Sequence, residues 1–171
     1  MQLIGRLNFG TLHNAAPGDL LEFAIGGAVR FGIRLADDNN IPAALILDSV
    51  NRRYVILSGD AFRRTRGVNH GSNYVIELHR SEHDFDQDNQ AGRAGYIAIV
   101  GEQTYLTIGG EVPEALNLRD FSLDERPANA FTRGSWDLWL EGDFGRADAR
   151  PVFSERLGQR EGVPVEGIAE A

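Results

Sequence analysis

Five arginines in two short runs form the densest cationic feature of the chain: Arg52 and Arg53, then Arg63, Arg64 and Arg66. A guanidinium is always charged and presents a planar fork of donors. Several on one rim would grip phosphate, carboxylate or an acidic protein surface bidentately. Tyr54, Phe62 and Tyr74 lie nearby in sequence, and arginine interleaved with aromatic residues also suits single-stranded nucleic acid. The plainer reading, favoured here, is surface arginines in loops whose charge is balanced by acids elsewhere.

The acids that could hold a metal are Asp84, Asp86 and Asp88, at the alternate spacing of a calcium loop. Hard carboxylate oxygens at such positions can converge on one cation. An EF-hand also needs Gly where Asn89 stands and Glu where Gly95 stands, so that pattern is incomplete. A solvated loop with Asp and Asn as turn formers is favoured, with calcium as the alternative. His70, set in a turn-rich stretch between Gly67 and Asn73, is a candidate general base without a readable nucleophile. There is no Gly-x-Ser-x-Gly elbow, no phosphate loop and no Gly-x-Gly-x-x-Gly. His79 and His83 are four apart, but they lie where a strand runs into a loop rather than on one helix face.

Two aromatic residues could make contacts with a ligand or partner. In residues 136–140, strand alternation puts Trp136, Leu138 and Leu140 on one face and Trp139 on the other, with Asp137 and Glu141. A Trp flanked by acids can stack on a sugar ring or anchor a protein contact. Tyr105 falls on the mixed face of a hairpin described below. Core packing explains Trp139 at least as well, and for the face that carries Tyr105 a covering layer from the same chain is favoured.

Whole branches of chemistry are missing. The chain has no cysteine and no lysine, and all 17 basic residues are arginine. Thiolate nucleophiles, thiolate metal sites and disulfides are excluded, as are Schiff-base and phosphate-loop lysines. A net charge of −8 argues against general nucleic-acid affinity. The charge is uneven: residues 1–49 carry −2, residues 50–80 carry +4 and residues 81–171 carry −10.

The elements that must position these residues read as strands. At 171 residues the chain suits one domain able to bury a core without staples. Short apolar segments alternate with Gly, Asn, Asp and Pro. Residues 20–25 and 28–35 form a hairpin at Gly26 and Gly27. Residues 43–47 and 54–57 are apolar runs of the kind covered on both faces, joined by a hairpin connection at 48–53. Strands are also expected at 74–78 and 136–140. The sharpest expectation is a hairpin over 96–108 with Gly101 and Glu102 in the turn. There Ile99 faces Thr104, Ala98 faces Tyr105 and Ile97 faces Leu106, leaving Ile97, Ile99, Leu106 and Ile108 on a core face. Tyr96, Ala98, Tyr105 and Thr107 form the other face.

The expected fold is therefore all-β, a single-domain sandwich or closed barrel of about eight to ten short antiparallel strands. Little helix is expected, with single turns at residues 113–118 and 154–159; an α+β variant is the alternative. The domain is expected to span 1–154, with 155–171 as an extended C-terminal arm. No apolar run approaches the roughly 20 residues of a membrane helix, and no basic segment followed by an apolar one opens the chain. Cytoplasmic location and no membrane partner are the expectations. The functional reading is a non-enzymatic interaction or assembly module with protein partners, itself included, and no cofactor. The alternatives are a small-ligand or carbohydrate-binding module, with calcium at the acidic loop, and a hydrolase or isomerase using His70 or a carboxylate pair.

Overall fold

The computed structural model describes residues 8–36, 41–47, 54–80, 94–109, 114–125, 127 and 130–156. The fold is all-β: among the described residues fourteen strands lie in three antiparallel sheets, with one short helix and one 3-10 turn. None of the sheets closes into a barrel.

The largest sheet contains β1 (Asn8–Thr11), β2 (Leu20–Ile25), β3 (Ala28–Arg34), β4 (Ala43–Leu47), β5 (Val55–Ser58) and β6 (Arg66–Gly71), ordered β1-β6-β2-β3-β4-β5. The β2–β3 turn falls at Gly26 and Gly27, with φ of 60° and 80°. Positive φ at both central residues is what a twist-matched two-residue hairpin demands. Strand β4 is buried at all five positions, as its apolar run requires. Its partner β5 is the sheet edge instead of a covered strand, and Val55 is 49% exposed. One face of this sheet sends Leu20, Ile33, Leu45 and Leu47 into the main core. The opposite face packs Leu21, Phe23, Ala44 and Ile46 beneath Leu12 and Phe62. Phe62 comes from α1 (Gly59–Arg63), a helix too short for any apolar period to announce it.

Strand β7 (Tyr74–His79) leaves this sheet. A five-stranded sheet follows, ordered β11-β10-β9-β8-β12: β8 (Ile97–Val100), β9 (Gln103–Thr107), β10 (Glu114–Asn117), β11 (Leu123–Glu125) and β12 (Phe131–Arg133). The β8–β9 register pairs Ile97 with Leu106, Ala98 with Tyr105 and Ile99 with Thr104, as the sequence predicts. Gly101 opens the turn at φ 60°. Ile97, Leu106 and Ile108 enter the main core, while Ala98, Tyr105 and Ala115 form a small second cluster on the far face.

The last sheet, β14-β13-β7, is completed by β13 (Ser135–Leu140) and β14 (Phe153–Arg156). Trp136 and Leu138 face inward and join Leu20, Leu45, Ile97, Leu106 and Leu116 in the core shared by all three sheets. Each such side chain, fully withdrawn from water, contributes roughly 1.5–3 kcal/mol. Glu155 also points inward, 2% exposed, and Tyr54 donates its hydroxyl to Glu155 Oε2 at 2.7 Å. The Trp136 indole N–H donates to the carbonyl of Gly95 at 2.8 Å.

Several expectations are corrected. Fourteen strands stand among the described residues where eight to ten are expected, because short polar segments such as Arg66–Gly71 and Phe131–Arg133 are recruited by neighbours that offer a hydrogen-bonding ladder. The two expected helical turns are the strands β10 and β14. Both sit beside a strand that satisfies their backbone groups across the sheet. Strand β14 runs through Arg156, and residues 157–171, most of the expected arm, lie outside the described residues. Among the described residues no helix is long and apolar enough to cross a membrane.

Candidate functional site

The densest organised set of polar side chains lies on the outer face of the β14-β13-β7 sheet. Side chains alternate along a strand, so Trp136, Leu138 and Leu140 turn to the core while Ser135, Asp137 and Trp139 turn away. Cross-strand register then decides their neighbours. Asp137 stands between Glu77 on β7 and Ser154 on β14, and Ser135 stands between His79 and Arg156. Residues directly opposed in a ladder share a face.

Asp137 is the centre of this group, with a side chain 7% exposed. Its two oxygens have divided duties. Oδ1 accepts from Ser154 Oγ at 2.6 Å and from the Arg156 guanidinium at 2.6 Å. Oδ2 lies 2.8 Å from His79 Nε2. Burial works against the Asp137 charge, but the hydrogen bonds from Ser154, His79 and Arg156, with the Arg156 charge, outweigh it. The carboxyl is held below its usual range. Arg156 is itself fixed, donating to the carbonyls of Trp136 at 2.9 Å and Glu155 at 2.8 Å.

Beside this centre, the Trp139 indole N–H donates to Glu77 Oε2 at 3.0 Å, and Phe144 meets the indole edge-on at 6.0 Å. The same Glu77 oxygen is 3.9 Å from His79 Nε2. Glu77, His79 and Asp137 are therefore the described residues that could together hold a metal ion. The arrangement is not a nucleophile relay. That relay needs an imidazole between hydroxyl and carboxylate, whereas here the carboxylate lies between hydroxyl and imidazole.

The other candidates are dispersed. His70 lies on β6, its Nε2 2.9 Å from Glu22 Oε2 and its ring 6.2 Å from Phe31. A bulge between Leu20 and Leu21 shifts the β2–β6 register beside it. Arg63, at the end of α1, is exposed and reaches Asp60 at 3.4 Å. Arg64 caps α1, and Arg66 opens β6. Tyr105 is 8% exposed and gives its hydroxyl to Gln103, so its own chain covers the ring. Arg52, Arg53, Asp84, Asp86 and Asp88 lie outside the described residues. A cavity of about 450 Å³ between β4, β5 and β11 is lined by Leu35, Ile41, Ala43, Ile56 and Leu123, with two serines. Its described lining residues include no acid or base.

Sequence reasoning placed Trp139 and Asp137 on one outward face but missed Glu77, His79, Ser154 and Arg156 as their partners. Glu77 and His79 alternate with core residues along β7, a readable signal. The pairing of His79 with Asp137 across 58 positions has none. Comparison with models of known protein families, with curated proteins and with solved structures finds no match to this chain.

Proposed function

We propose that this chain is a non-enzymatic assembly module that binds further copies of itself. The observation that carries this reading is the placement of exposed arginines and of a partly exposed, acid-flanked aromatic pair on different sheets. The side chains of Arg64 and Arg66 are exposed and have no ion-pair partner among the described residues. On a different sheet, Trp139 and the 45%-exposed Phe144 lie beside Glu77 and Glu141. Aromatic anchors ringed by charge are the usual currency of interfaces. A contact between these two unlike surfaces is heterologous, so it builds rings or filaments instead of closing as a two-fold dimer. We further propose that the large sheet forms one layer of a sandwich and the two smaller sheets the other, since all three feed one core.

Light-scattering mass measured across ionic strength tests the reading. Oligomers at low salt that dissociate as salt rises are expected, as are monomers from Arg64→Glu/Arg66→Glu and from Trp139→Ala. A monomer at every salt concentration, or an oligomer indifferent to salt and to these substitutions, would overturn it. A second reading, sugar binding, draws on the outward Trp139 ring, whose N–H is pinned by Glu77. Quenching of Trp139 fluorescence by simple sugars would support that alternative, and Trp136, buried in the core, serves as the internal control.

A further inference from the structure

We propose that Glu77, His79 and Asp137 form a binding site for a first-row divalent metal ion of the zinc class. It stands apart from the assembly reading, because a monomer can bind the ion.

The three ligand atoms lie within 4.8 Å of one another, close enough to converge on one ion. Zinc holds imidazole nitrogen and carboxylate oxygen at about 2.0–2.2 Å, which places neighbouring ligand atoms about 3.3 Å apart. His79 Nε2 is 2.8 Å from Asp137 Oδ2 and 3.9 Å from Glu77 Oε2, on either side of that value. Rotations of about half an ångström in two side chains would bring both to it. Those side chains, His79 and Glu77, are 35% and 39% exposed, so they are free to adjust and leave the fourth position open to water. No strand has to move.

A second observation concerns the buried member. Asp137 gives Oδ1 to Ser154 and Arg156, so its orientation is fixed by groups that are not ligands. Its other oxygen is aimed into the cluster, where its single partner is His79 Nε2. Outer partners that orient a ligand in this way are the usual support of a metal site. Glu77 and Asp137 also stand directly opposed across the β7–β13 ladder, which puts both carboxylates on the face that carries His79. On binding, the metal takes the Nε2 lone pair, and the proton between Nε2 and Oδ2 passes to solvent. Binding therefore weakens as pH falls. An imidazole in the set favours zinc, nickel or cobalt over calcium, which takes six to eight oxygens.

The full chain is titrated with Zn²⁺ by calorimetry and with Co²⁺ by visible absorption. One ion per chain, a tetrahedral Co²⁺ spectrum and a raised melting temperature are expected. His79→Ala should abolish all three signals, and His79→Gln repeats the test should the alanine variant fold poorly. Ser154→Ala should weaken binding roughly 10–100-fold without changing stoichiometry, because it releases the orientation of Asp137. His83→Ala and the triple variant Asp84→Asn/Asp86→Asn/Asp88→Asn should bind as the parent does. Absence of a Co²⁺ spectrum would sink the proposal. So would binding that survives both His79 substitutions, or binding that is lost with His83.

Discussion

Substituting Gly67 by alanine tests the strand register that underlies the large sheet. Gly67 lies in β6 between Gly10 of β1 and Phe23 of β2. A Cβ there would sit 2.1 Å from the Glu22 carbonyl oxygen and 3.0 Å from Phe23 Cβ. The nearer atom is backbone, and Glu22 cannot retreat because it is paired on its other side with Phe31. Overpacking of this kind costs about 1–3 kcal/mol, and a clash against backbone belongs at the upper end. For a chain of this size, a loss of about 3 kcal/mol lowers the melting temperature by roughly 6–12 °C. Gly10 is the control: it faces Gly67 across the ladder, and a Cβ there meets nothing within 4 Å. Gly10→Ala should therefore stay within about 0.5 kcal/mol, or roughly 2 °C. The assay is calorimetric melting of both variants beside the parent. Melting of Gly67→Ala within about 2 °C of Gly10→Ala would refute the β2–β6 register, and with it the contact between His70 and Glu22.

Tyr74, raised to about 12 first by burial and then by the charge of Asp19, should resist ionisation. Its raised value means that the stability it contributes is present below pH 10 and lost as pH climbs towards 12. Absorbance at 295 nm should show a late-titrating component that Tyr74→Phe removes together with the alkaline loss. The lowered Asp137 works in the opposite direction: its contribution is full above about pH 4 and disappears as pH falls through the folded value. Asp137→Asn should therefore flatten the acid limb of a denaturant-midpoint profile. Gly18→Ala puts a Cβ 2.2 Å from Phe121 Cε2 at a φ of +88°, and should destabilise. Adding Phe121→Leu should recover the steric part alone, as a double-mutant cycle would show. Saturating Zn²⁺ should lower the oligomer mass at low salt, since two positive charges beside Trp139 oppose an arginine-bearing partner.

Much of the fold was legible because local pattern and tertiary demand agree. The Gly26–Gly27 turn, the apolar run of β4 and the alternation around Trp136 each state a conformation that the neighbours then satisfy. Agreement fails where pairing overrides composition. Strand β6 reads Arg-Gly-Val-Asn-His-Gly and β14 reads Phe-Ser-Glu-Arg, and neither carries an alternation of its own. Both are strands because β1, β2 and β13 offer unpaired backbone beside them. Arginine roles were equally hidden. Arg34 is buried, donates to the carbonyls of Leu35 and Ala43 and lies 5.5 Å over the Phe62 ring, while Arg156 holds Asp137. Nothing in their local sequence separates these structural arginines from the exposed Arg63. The site shared this limit, since its halves meet only when β7 and β13 pair.

The position of Asp137 decides what its face can do. In acyl transfer a serine hydroxyl surrenders its proton to an imidazole, and a carboxylate behind the imidazole steadies it. Here Ser154 and His79 approach opposite oxygens of one carboxylate, so neither activates the other. Both are spent on fixing the acid, and Arg156 completes the task. The carboxylate is held in one orientation by Ser154 and Arg156 and faces an adjustable imidazole. Such an anion suits a cation arriving from outside, either a metal ion seated on His79 and Glu77 or a guanidinium of a neighbouring copy seated beside Trp139. Both proposals draw on the same charge, so metal and assembly are expected to oppose each other.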